Sequence, residues 1–113
     1  MNRIYCLLIL LFVFAFCKKK SDFPNNVPDC IKQAIQEQST NQSFYLGSVD
    51  ECSFKNKTVY IFSPASNIAD GMSGVVDAQC NSICSLGGIA GIIMCDGSKF
   101  SDSAKFIRNI WHK

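Results

Sequence analysis

The stretch Cys52-Ser53-Phe54-Lys55-Asn56-Lys57-Thr58-Val59-Tyr60-Ile61-Phe62, "CSFKNKTVYIF", decides the fold class. Thr58 to Phe62 is an unbroken run of β-branched and aromatic residues, and Lys55-Asn56-Lys57 is a polar break just before it. A two-residue loop at Asn56 and Lys57 sets Phe54 opposite Val59 and Cys52 opposite Ile61. Side chains alternate across a strand, so Cys52, Phe54, Val59 and Ile61 share one face, the expected sheet side of the core. Glu51, Ser53, Tyr60 and Phe62 fall on the other face. There Tyr60 and Phe62 are expected to be partly exposed or to lie under the next loop, and as an exposed aromatic pair they form a candidate docking surface.

Upstream, Val27-Pro28-Asp29 reads as the start of a helix. Pro28 presets the backbone angle of a first turn, and the Asp29 carboxylate complements the positive helix end. Cys30, Ile31, Ala34 and Ile35 recur on one side, with Lys32, Gln33, Gln36 and Glu37 facing away, which predicts a short amphipathic helix ending near Gln38. A helix of this length is marginal alone and needs a surface to pack on. Phe44 to Phe54 reads as extended.

Downstream, Ser63 to Ser73 contains Pro64, Asn67, Asp70 and Gly71 and reads as a loop, followed by a brief apolar step at Val75-Val76. Ile89 to Met94 is too apolar for a surface loop, which predicts a buried strand reaching Cys95. The last element is expected to be a helix. Ser101 would cap it, Asp102 lies in its first turn, and Ala104, Phe106, Ile107, Ile110 and Trp111 make a broad apolar face, with Arg108, His112 and Lys113 toward the negative end. The expected architecture is α+β, a small antiparallel sheet packed against an N-terminal and a C-terminal helix and supported by disulfides.

Residues 1–16 read as a signal peptide. Thirteen uncharged residues run from Ile4 to Phe16, short of the roughly 20 that a bilayer-spanning helix requires. The run stops at Cys17, followed by Lys18, Lys19 and Lys20. An apolar segment, a small residue (Ala15) and a cysteine resemble the lipobox of bacterial lipoproteins, which makes Cys17 the expected site of acylation with palmitate-type chains. Phe16 departs from the small residue usual at that place. Residues 17–27 are then the lipid-anchored cysteine and a polar tether, and 28–113 a single small domain. The expected partner is a membrane reached through the N-terminal lipid anchor, either the periplasmic side of the inner membrane or the outer membrane; the alternative is a secreted protein.

Beyond residue 22 the chain carries seven Lys and Arg against eight Asp and Glu, so the formal charge of +2 belongs to the leader and tether. No basic patch remains for nucleic acid. A body this small buries only about two thirds of the surface its unfolded chain exposes, so crosslinks matter. Cys30, Cys52, Cys80, Cys84 and Cys95 are available in an oxidising compartment. Five choices of the unpaired residue and three pairings of the other four leave fifteen arrangements, all open on sequence alone.

The residues with chemistry do not assemble into a recognisable catalytic or metal set. Cys80, Cys84 and Cys95 lack a two-knuckle zinc spacing, and Asp70, Asp77 and Asp96 do not follow a calcium-loop pattern. Gly87-Gly88-x-x-Gly91 follows a cysteine-rich segment and not a strand that opens onto a helix, so it is no phosphate cradle. Cys80-x3-Cys84 is off the redox spacing. His112, the single histidine, has no evident acid or nucleophile partner. No cofactor is expected.

From Asp70 to Phe100 the pattern of Asp70, Asp77, Cys80, Cys84, Gly87, Gly88, Gly91, Cys95 and Phe100 resembles a family of uncharacterised lipoproteins and secreted proteins of Bacteroidota, a domain of unknown function. Pro28-Asp29-Cys30-Ile31 and Asn56-Lys57-Thr58-Val59-Tyr60 extend the resemblance over nearly all of the expected mature chain. It implies an envelope location and a fold type, and no reaction. Ile68-Ala69 stands where that family tends to have two cysteines, and Ile92-Ile93-Met94 replaces its Gly-Asp-Gly step. The resemblance implies that Cys30, Cys80, Cys84 and Cys95 take part in crosslinking, and that the additional Cys52 is available to a cysteine that has lost its mate. The expected function is a non-enzymatic binding or structural lipoprotein of the cell envelope with a protein partner there. The alternative is a small inhibitor or accessory subunit of a secreted or envelope enzyme, acting through a loop such as Ser63 to Gly74.

Overall fold

A computed structural model describes residues 23–41 and 45–113. The expected signal peptide, the acylated Cys17 and most of its tether lie outside the described residues. The elements are α1 (Asp29–Thr40), β1 (Leu46–Phe54), β2 (Lys57–Pro64), β3 (Met72–Asp77), β4 (Ser82–Gly87), β5 (Met94–Cys95), β6 (Ser98–Lys99), α2 (Phe100–Ser103) and β7 (Ala104–His112). Strands β4-β3-β2-β1-β7 form one antiparallel sheet in that order, and β5 pairs β6 in a small hairpin. The class is α+β.

The β1–β2 hairpin turns at Lys55 and Asn56, one residue earlier than expected. Both have positive φ, 48° and 61°, the backbone of a tight two-residue turn matched to strand twist. Cys52 consequently faces Val59, and Phe54 faces Lys57. Moving the turn by one residue moves the pairing by two, which leaves every side chain on its expected face.

On one face, Val27, Ile31 and Ile35 bury themselves against Leu46, Val49, Tyr60, Phe62 and Ile110. Pro28 immediately precedes α1 at φ −57°, and Asp29 lies in its first turn. Tyr60 and Phe62, the candidate docking pair, are only 2% and 5% exposed. The helix covers them, so they are core residues and not a surface. The other face gathers Cys52, Phe54, Val59, Val75 and Cys95, with Ile61, Ile83, Leu86 and Phe100 at its margin. Its cover is irregular chain from Gly88 onward, the β5–β6 hairpin and α2, with the Phe54 and Phe100 rings 5.1 Å apart.

Two expectations are corrected. Helix at the C-terminal end is confined to the four residues of α2, with no side-chain cap bond, and Ala104–His112 is a strand paired with β1 from Phe54↔Ala104 to Ser48↔His112. The Phe106-Ile107 and Ile110-Trp111 doublets fit a helical face, but two register shifts absorb them: Ile107 and Ile110 are the extra residues between paired positions. Pairing the long edge of β1 satisfies backbone groups that a helix would leave open.

Secondly, Ile89–Met94 is not a buried strand. Gly87, Gly88 and Gly91 hold φ of 83°, 74° and 59°, a left-handed backbone that turns the chain on itself, and beyond the single Gly87–Ile92 bridge only Met94 and Cys95 are in extended pairing. The expected loop Ser63 to Ser73 is present over 65–71, trimmed at both ends because β2 runs through Pro64 and β3 begins at Met72.

Candidate functional site

Each face of the sheet has its own crosslink. Cys30–Cys80 ties α1 to the turn between β3 and β4, across a sequence separation of 50. Cys84–Cys95 ties β4 to β5 on the opposite face, across a separation of 11. On the loop-entropy relation these contribute about 4 and about 3 kcal/mol. Cys52 is unpaired and buried, so its expected role as a replacement partner is corrected: it lies on the sheet face, packed into the core. Burial, helped by the Asp50 and Glu51 carboxylates, pushes its thiol pKa up. A protonated, enclosed thiol is a poor nucleophile.

The turn that carries Cys80 is built by Asp77. Its Oδ1 accepts from the backbone N–H groups of Gln79 and Asn81, each at 2.9 Å, and its Oδ2 accepts from Asn81 Nδ2 at 3.1 Å. The Asn81 N–H is the leading cause of a lowered Asp77 pKa. This cage lets Cys80 sit at φ 64°, a conformation that few non-glycine residues adopt, with its sulfur directed at Cys30.

Between β1, β2 and β7 lies a buried polar network. Tyr60 Oη donates to Glu51 Oε1 at 2.9 Å, and Arg108 Nε donates to Glu51 Oε2 at 2.9 Å. Burial, then the hydrogen bond to Glu51, pushes the Tyr60 pKa up to about 12. Both carboxylate oxygens are engaged, so the network locks three strands together and offers no free acid or base. The network is hidden in the sequence because a helix over this stretch would not set Arg108 opposite Glu51, as the β1–β7 pairing does.

Two of the recesses in the surface are mostly apolar. One, of about 550 Å³, lies between α1 and strands β3 and β4, lined by Ala34, Gln38, Phe62, Met72, Gly74 and Val76 among others. Gln38 Oε1 is buried there without a hydrogen-bond partner, and nothing lies within 4 Å of where a Cβ on Gly74 would sit. No ionisable side chain lines it, which leaves it without acid–base chemistry. The other, of about 170 Å³, is lined by Leu86, Ile92, Ile93, Phe100 and Ser101.

Apolar side chains are also turned to solvent. Ile89 is 89% exposed, and Ile93 and Met94 are exposed beside it, on a loop held by the Gly87 and Ile92 backbone pair, by Gly88 N–H to Gly71 O, and by Cys84–Cys95. The loop is thus pinned at both ends and points its isoleucines outward. Among the described residues, no three His, Cys, Asp or Glu side chains group as metal ligands. Cys80, Cys84 and Cys95 are consumed in disulfides, Asp96 accepts from Lys55 Nζ, and His112 Nδ1 contacts Asn109 Oδ1 at 3.1 Å. Among the described residues no helix is long and apolar enough to cross a membrane.

Comparison with curated proteins and with solved structures finds no match. Residues 32–113 match the family model described as Domain of unknown function (DUF6970), well over half of the chain, and the chain therefore belongs to that family.

Proposed function

We propose that this chain is a non-enzymatic binding module of the cell envelope, anchored through an acylated Cys17 and presenting a crosslinked domain to a protein partner. The observation that carries the reading is the Ile89–Met94 loop, whose exposed isoleucines and methionine are held outward by glycine turns and by Cys84–Cys95. Burying them on a partner would contribute roughly 1.5 to 3 kcal/mol per side chain, a return unavailable in the isolated domain. Support for the anchor comes from the run Ile4–Phe16 ending at Cys17. The oxidising side of a membrane suits the two disulfides.

Site-specific photo-crosslinking in intact cells tests this. A photoreactive residue at Ile89 is expected to capture one envelope protein, whereas the same residue at exposed Asn67 captures none. Equal capture at both sites, or none at either, contradicts the proposal. Labelled palmitate is expected to be incorporated and to disappear in Cys17→Ser; retention of label in that variant would remove the anchor.

A further inference from the structure

We propose that the open edge of β7 docks an extended, acidic segment of a partner protein, which adds a further strand to the sheet. This rests on the reading of the chain as a binding module, but uses a different surface from the Ile89 loop. β7 is outermost in the order β4-β3-β2-β1-β7 and pairs with β1 alone, so one side of a nine-residue strand presents unpaired backbone N–H and C=O groups. Such an edge is a template for another strand.

The two edges of the sheet are not alike. β4 is flanked by its own chain, through Cys84–Cys95 and the Gly87–Ile92 bridge. Among the described residues β7 has no such cover. At its C-terminal end the Asn109 Nδ2 bonds to the Val49 and Trp111 carbonyls, at 3.4 and 3.2 Å, and the Lys113 N–H bond to Gly47 O, at 2.9 Å, lie on the β1 side. The exposed apolar side chains of the outer edge lie in Ala104–Arg108. There Phe106 is 67% and Ile107 49% exposed, apolar surface that a neighbouring strand would cover.

Charge selects the occupant. From Ala104 to Lys113 the strand and the residue that follows it carry Lys105, Arg108 and Lys113 and no acid. Arg108 is committed to Glu51, which leaves Lys105 and Lys113 without an ion pair among the described residues. A segment alternating acidic and apolar residues would set carboxylates near these lysines and apolar side chains against Phe106. A second copy of β7 would bring the same cations against them, and like charges across strands are unfavourable.

The test uses the full chain in detergent with its disulfides intact, and two synthetic probes, Glu-Val-Glu-Val-Glu-Val-Glu and its lysine counterpart. Amide hydrogen exchange read by NMR is expected to slow at Lys105–Arg108 with the acidic peptide only, with binding that weakens as salt rises. Lys105→Glu, at an exposed position, is expected to weaken that binding by about fivefold. Unchanged exchange on β7, equal binding by Lys105→Glu, or protection of β7 by raising the protein concentration without peptide would overturn the proposal, the last by identifying a second copy as the occupant. If β7 fails while photo-crosslinking at Ile89 succeeds, the binding-module reading stands without this site.

Discussion

The two faces of the sheet each bury an apolar cluster but are closed in different ways. Under α1, Ile31 and Ile35 recur at helical spacing, and the long-range Cys30–Cys80 bridge fixes the helix to a turn built by Asp77. On the other face an irregular stretch does the covering, held by the short Cys84–Cys95 bridge, and it turns Ile89 outward while Cys95 goes inward. A regular cover spends its apolar residues on the core. An irregular one is free to divide them between core and solvent, and that division leaves apolar side chains exposed.

The largest expected effect breaks the comparison at its crosslinks. Cys30→Ser with Cys80→Ser is expected to cost about 4 kcal/mol in urea unfolding, and Cys84→Ser with Cys95→Ser about 3. A larger loss from the second pair would mean that the irregular cover, and not the helix, is the principal clamp.

Next is the polar network beneath α1. The Tyr60 pKa is raised from 10.0 to about 12, so its contribution is complete below pH 10 and lost as pH rises toward 12. Two pH units correspond to about 3 kcal/mol. Chemical denaturation across this range is expected to show the loss in the parent chain and a flatter profile in Tyr60→Phe. Identical profiles would mean that the Glu51 contact does not hold the phenol protonated.

A smaller acid-side effect belongs to Asp77. Its pKa is lowered, so its stabilisation is present above the ordinary aspartate range and disappears as pH falls through the lowered value. Asp77→Asn should flatten the acid limb of stability against pH, and an unaltered limb would discount the turn cage. Smallest is Ile89→Ala, expected to change stability by no more than about 0.5 kcal/mol because the side chain is already in water. A loss well above that would show that the loop packs on the domain and is not a contact surface.

What could be read from the sequence follows the same division. The faces of the β1–β2 hairpin are legible in Cys52, Phe54, Val59 and Ile61, even though the turn falls one residue early, because alternation survives a two-residue shift. The helix at Asp29–Thr40 is legible in its periodicity. Its position over Tyr60 and Phe62 is not, since which face a helix covers is a tertiary fact. β7 reads as a helix because its bulges place apolar doublets at spacings that both structures satisfy, and the open edge of β1 decides between them. Ile89–Met94 reads as core because composition alone cannot distinguish an apolar run that is buried from one held outward by glycine turns. The cysteines were legible as crosslinking residues, but their pairing depends on the layer each one occupies.

The central claim, that each face has its own cover and its own crosslink, is tested most directly by digesting the unreduced protein and identifying the linked peptides, with thiol labelling before and after denaturation. The account predicts Cys30 linked to Cys80, Cys84 linked to Cys95, and Cys52 labelled only once the chain is unfolded. A bridge to Cys52 would contradict it, and so would one joining Cys30 to Cys84 or Cys95, which would tie together layers that lie on opposite sides of the sheet.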